Sequence, residues 1–120
     1  MIRIKRVYET PHAHDGIRIL VDRIWPRGCT KKQARLDAWR KELAPSTALR
    51  TWFGHDPAKW MEFRTRYRKE LNRPEQNRAI EDLARLAQAQ TVTLLYGASD
   101  NEHHPAVVLK ECIDRAKDRI

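Results

Sequence analysis

The chain has 120 residues, with 24 Lys and Arg against 16 Asp and Glu for a net charge of +8, and 41% hydrophobic residues. That length and apolar content suit one domain over residues 1–120, and charge interleaved with aromatics excludes a disordered chain. No apolar run approaches the roughly 18 residues a membrane span needs, and no basic-then-apolar leader is visible, so a cytoplasmic location without membrane partners is expected.

Ile2 to Tyr8 alternates apolar and charged residues, which predicts a half-buried strand. Thr10–Gly16 is a loop, and Ile17 to Trp25 reads as a second strand, buried on both faces. The short link between the two predicts a hairpin from local physics alone. Thr30 and Gln33 have capping-box spacing, and Leu36, Trp39 and Leu43 extend a predicted helix to about Leu43, closed by Pro45. Ser46 is an N-cap for a short helix over Leu49, Trp52 and Phe53, with Gly54 as its stop. Asp56 and Pro57 start the next helix, striped by Trp60, Phe63, Tyr67 and Leu71. Pro74 opens another, with Ile80, Leu83 and Ala87 inward. Thr91–Tyr96 is the third strand. Gly97–His104 is a loop, and Pro105 opens a last helix whose stripe includes Val108, Leu109, Cys112, Ile113 and Ala116. This closing strand–loop–helix unit predicts an α/β sheet with parallel pairing.

The surplus charge is concentrated. Residues 1–50 hold 12 Lys and Arg against 5 Asp and Glu, a net of +7, which attracts phosphates, nucleotides, nucleic acid or acidic lipid. Of the two cysteines, Cys112 reads as core, whereas Cys29 sits in a polar loop where Arg27, Lys31 and Lys32 would lower its pKa; no base stands near it to make it a nucleophile.

Open α/β sheets bind ligands beyond the carboxyl ends of their parallel strands. Two segments fall there. In the first, Asp22, Arg23 and Arg27 surround Trp25. The guanidiniums can grip a phosphate or carboxylate, the indole offers a flat face, and a carboxylate between two arginines is expected to keep a low pKa. An ion pair tying the strand end to a helix, with Trp25 in the core, explains the same residues. In the second, Ser99, Asn101 and His104 precede the last helix, where free N–H groups attract anions; simple capping by Asp100, Asn101 or His104 is the alternative. Ser46 and Arg50 lie one turn apart on a short helix, and His55 beside Asp56 has the form of an oriented general base. His12, His14 and Asp15 with His103 and His104 would make a metal site if their loops met. Arg64, Arg66, Arg68 and Lys69 crowd one helix, as a phosphate-backbone contact or as a solvated face.

The run Arg6-Val7-Tyr8-Glu9, then Asp15-Gly16, then Arg18-Ile19-Leu20-Val21-Asp22-Arg23-Ile24-Trp25-Pro26-Arg27-Gly28 resembles the bacterial YeaO-like family, a domain of unknown function. Ala44-Pro45-Ser46, Leu49 to Asp56, Trp60 with Phe63, Leu94-Leu95-Tyr96 and Ala106 to Leu109 continue the resemblance over almost the whole chain. It implies a small, largely parallel α/β sheet of three to four strands flanked by about five helices, which opposes the hairpin. It implies no reaction and no cofactor. The expectation is therefore a small anionic ligand, phosphorylated or carboxylated, held at the carboxyl edge of the sheet by Arg23, Trp25, Arg27, Ser46, Arg50, Ser99, Asn101 and His104. If the protein is an enzyme, Asp22 and His55 would move protons. A nucleic-acid accessory using the basic first half and a metal-binding protein using the histidine loops are the alternatives.

Overall fold

Val92-Thr93-Leu94-Leu95-Tyr96 carries no charge, and such a strand needs cover on both faces. In the computed structural model, which describes residues 1–120, it is β4 (Val92–Tyr96), buried along its whole length. The other strands are β1 (Ile2–Arg6), β2 (Ile17–Leu20) and the two-residue β3 (Ala38–Trp39). Their order is β1-β4-β2-β3, and every pairing is parallel.

The α/β class with a largely parallel sheet is therefore as expected, but the hairpin is not formed. β1 and β2 do not pair; β4 lies between them, with Ile4 beside Leu94 and Leu94 beside Ile19. The ten residues that link them reach about 33 Å when extended, roughly twice the length of a five-residue strand, so no helix is needed to carry the chain back. Gly16 makes that return possible. It has φ +63°, and a Cβ there would lie 2.1 Å from the Thr91 carbonyl oxygen.

Five α-helices cover the sheet: α1 (Lys31–Ala34), α2 (Thr47–Phe53), α3 (Trp60–Leu71), α4 (Pro74–Ala89) and α5 (Pro105–Asp118). The Thr30–Gln33 capping box forms, but α1 ends after one turn, at Arg35 in the left-handed region (φ 46°), rather than reaching Leu43. Tertiary pairing overrides the apolar spacing there. The Asp37 carboxylate accepts the Arg18 N–H at 2.8 Å, and Ala38 and Trp39 extend the sheet beside Ile19 and Leu20. The second strand is likewise shorter than expected, since the chain leaves the sheet at Val21. Ser46 caps α2 by accepting the Leu49 N–H, and Gly54 stops it in the left-handed region. Asp56 caps a 3-10 turn, Pro57–Lys59, that runs into α3.

Alternate strand residues face opposite cores. Ile19 and Leu94 join Phe63, Tyr67, Leu109 and Ile113 in the larger one. Leu20 and Leu95 join Val7, Ala34 and Cys29 in the smaller one, against Trp25 and Trp39. Cys29 is thus buried in the smaller core rather than open in a polar loop, and Cys112, half-buried, packs against the larger core as its stripe position predicts. No helix is long and apolar enough to cross a membrane.

Candidate functional site

Parallel pairing points the carboxyl ends of β1, β2 and β4 at one edge of the sheet. There the segments after β2 and β4, the start of α5 and the turn between α2 and α3 enclose a cleft of about 460 Å³. Asp22, Arg23, Trp25, Arg27, Arg50 and His55 all line it. Its apolar wall includes Phe53 and Phe63, whose rings stack 4.4 Å apart.

Asp22 leaves the sheet one residue after Val21, whose N–H still bonds Leu95 of β4 at 3.1 Å. Its Oδ2 accepts the Gly97 N–H at 2.9 Å. The approach is close: a Cβ on Gly97 would stand 3.1 Å from that oxygen, so a side chain at position 97 would have to push the Asp22 carboxylate aside. The expected Asp22–arginine pair is absent. Arg23 instead donates to the Pro45 carbonyl at 3.0 Å and the Ala44 carbonyl at 3.4 Å, bracing the segment before α2. The expected low pKa is overturned with it. Burial raises Asp22 to about 6, and the opposing pull of the Gly97 N–H, His55 and Arg50 does not cancel it. A carboxyl in that range changes charge near neutral pH, the property that acid–base and proton-coupled binding sites share.

Arg27 and Arg50 belong to none of the chain's ion pairs. Arg27 is exposed, and its backbone carbonyl accepts the Tyr8 hydroxyl at 2.6 Å. Arg50 comes from the last turn of α2. His55 follows Gly54 and also has positive φ, 57°, an unfavourable conformation for a residue with a Cβ. Asp56 does not orient it, because Asp56 Oδ1 accepts the Ala58 N–H at 3.0 Å. Trp25 is half-buried, packed edge-on against Trp39 at 5.3 Å, with its indole N–H on the Cys29 carbonyl at 2.6 Å. It therefore serves the smaller core and presents part of its surface to the cleft.

The remaining expected residues lie elsewhere. Ser46 turns toward α3, where its backbone N–H and hydroxyl both donate to Glu70, at 2.8 and 2.6 Å. Ser99 and Asn101 are exposed and do not line the cleft. His104 is fully buried and stacked on Tyr96 at 3.7 Å, and neither ring nitrogen has a partner in hydrogen-bonding geometry. Burial lowers its pKa to about 4, against smaller pulls from Asn101 and Asp100, so it is a neutral packing group. No side chain caps α5, so the capping expected of Asp100, Asn101 or His104 does not form, and Asp100 instead ties the loop before the helix. Asp100 accepts from Glu102 and His103, at 2.9 and 3.0 Å, and its contact with the His103 ring adds to these, holding its pKa down to about 2.

No three His, Cys, Asp or Glu side chains gather into a metal-holding group, so the histidine loops do not combine as the metal alternative requires. The arginine stripe on α3 is largely engaged. Arg64 and Arg68 bond Glu111 of α5, and Arg66 pairs with Glu62 while lying over the Trp52 ring at 4.2 Å. Two contributors escaped the sequence. Arg6 fastens the cleft rim by donating to the Ala98 and Gly97 carbonyls, at 2.9 and 3.2 Å, and Tyr8 lines the cleft. Both belong to the run that carries the family resemblance, but only the parallel register, which sets Arg6 beside Tyr96, brings them to the cleft.

A family model described as "Inactive DUF488-N3 subclade" matches residues 1–119. The chain is 44% identical over 110 residues to "Uncharacterized protein YeaO" of Escherichia coli K12, covering 92% of this chain and 94% of that protein. It is 37% identical over 113 residues to "Uncharacterized protein Rv3073c" of Mycobacterium tuberculosis H37Rv, covering 94% and 93%. No solved structure matches it.

Proposed function

The chain belongs to the DUF488-N3 family, in the subclade described as inactive, and from that premise we propose that it binds a small phosphorylated or carboxylated ligand in the cleft at the carboxyl edge of its sheet. One observation carries the reading: Arg27 and Arg50, two guanidiniums outside any ion pair, line the same cleft as the protonatable Asp22. Guanidinium forks match phosphate and carboxylate oxygens, and an uncharged Asp22 carboxyl would add a donor to them. Trp25, Tyr8 and Phe53 give the cleft aromatic walls for the ligand's apolar body.

The family description favours a receptor over an enzyme. Asp22 and His55 are then ligand contacts whose proton content tunes affinity, not groups that turn a substrate over. Because an anion beside Asp22 favours its neutral form, binding should strengthen as pH falls through about 6.

A thermal-shift panel of nucleotides, phosphorylated metabolites and carboxylates tests the proposal. A ligand at a hundred times its dissociation constant stabilises by about 2.7 kcal/mol, which raises the midpoint by roughly 10 °C in a chain of this size. The Arg27→Ala/Arg50→Ala variant should lose most of that shift. Full retention of the shift in this variant would exclude the cleft.

A further inference from the structure

α5 carries the chain from the cleft to the opposite edge of the sheet, since its fourteen residues run about 21 Å. At its far end lies a second recess, of about 240 Å³, between the end of α3, the first turns of α4 and the last turns of α5. Arg68, Arg115 and Arg119 line it, together with Asn72, Asn77 and Cys112. No carboxylate lines it.

The charges around the recess are unevenly matched. Glu111 is shared between Arg64 and Arg68 on one flank. Arg115 and Arg119 belong to none of the chain's ion pairs, although Lys110 and Asp114 of the same helix do pair with each other. Arg68 Nε is buried without a hydrogen-bond partner. That N–H is sealed inside the fold, so it is the rest of the Arg68 guanidinium, already bonded to Glu111, that borders the recess. Cations near the ends of α3 and α5 would also complement those helix dipoles. That accounts for single arginines, but not for three of them with two amides around one concavity, two of the three outside any ion pair.

We infer that this recess is a second anion site, built for a phosphoryl group, separate from the cleft. Arg68, Arg115 and Arg119 supply the charge, and the Asn72 and Asn77 amides supply neutral donors. The phosphoryl group can come from a free phosphorylated compound or from a nucleic-acid backbone.

Cys112 lines the recess and reports on its occupancy. A bound anion covers the thiol and disfavours the thiolate that reacts with alkylating agents. The experiment follows iodoacetamide labelling of Cys112 by mass spectrometry at constant ionic strength, with inorganic pyrophosphate in one arm and a short single-stranded RNA in the other. Pyrophosphate should slow labelling by about threefold or more, equivalent to an upward thiol shift of roughly half a unit. The slowing should vanish in Arg115→Gln/Arg119→Gln and persist in Arg27→Ala/Arg50→Ala. Both Arg115 and Arg119 are exposed, so the glutamine variant keeps the fold, and its unliganded melting curve verifies this. Protection by RNA alone assigns the phosphoryl group to a nucleic-acid backbone. The proposal is overturned if neither arm protects Cys112, if protection survives the glutamine substitutions, or if it disappears with Arg27 and Arg50.

Discussion

Asp15 and Asp22 flank β2, each taken out of water beside cationic groups, and their pKa values move in opposite directions. At Asp15, burial alone would raise the pKa. The His12 N–H, Lys5 and Arg18 outweigh it, so the net shift is downward. The carboxylate receives the His12 N–H at 2.9 Å and Lys5 at 3.1 Å, and the Arg18 guanidinium that pairs with it also bonds the Ala34 carbonyl. Every member of that cluster has its partners inside the fold. Asp22 accepts one N–H, and Arg27 and Arg50, which line the same cleft, make no hydrogen bond to it. The same residue types build a closed structural network at one end of the strand and an open cleft at the other. What separates them is whether the polar groups are already satisfied.

Substitutions can break this contrast or sharpen it. Asp15→Ala strands a buried Arg18 and should cost about 3–5 kcal/mol in urea unfolding. Asp22→Asn should do the reverse. Asp22 holds its proton to about pH 6 in the folded state against an ordinary 3.8. The wild-type protein therefore loses stability as pH rises between those values, and the loss is complete above about 6. The asparagine has no charge to bury and can still accept the Gly97 N–H. At pH 7 it should be the more stable protein by up to about 3 kcal/mol, with the advantage fading below pH 4. A variant that is destabilised at pH 7 would contradict this. Ser46→Ala removes a helix cap and a Glu70 contact, and should cost about 1 kcal/mol while leaving ligand-induced shifts unchanged. Arg27→Ala and Arg50→Ala, singly and without ligand, should each move stability by no more than about 0.5 kcal/mol. A larger loss would mean that they are structural arginines like Arg18.

Local signals carried much of the fold. The Thr30 box, the Ser46 cap, Gly54 and the prolines at 57, 74 and 105 mark starts and stops because their chemistry acts within one turn. The failures were non-local. Leu36, Trp39 and Leu43 have helical spacing, but Ala38 and Trp39 had an open sheet edge to fill, and β4, ninety residues after β1, displaced the hairpin. The cleft follows the same division. Asp22, Arg23, Trp25, Arg27, Arg50 and His55 are legible because strand ends and helix turns imply one edge. The turning of Ser46 toward Glu70, the burial of His104 on Tyr96 and the arrival of Arg6 and Tyr8 depend on packing between distant segments. The sign of the Asp22 shift depends on packing too, since Arg23, its neighbour in sequence, bonds the Pro45 and Ala44 carbonyls instead, and burial dominates.

The most direct measurement is a carbon-13 titration of the aspartate carboxyl groups, with and without the tightest-binding anion from the ligand panel. The account predicts that Asp22 titrates near 6 and moves higher when the anion binds, while Asp15 stays below the ordinary carboxylate range and is indifferent to it. An Asp22 that titrates like a free carboxylate and ignores every anion would contradict it.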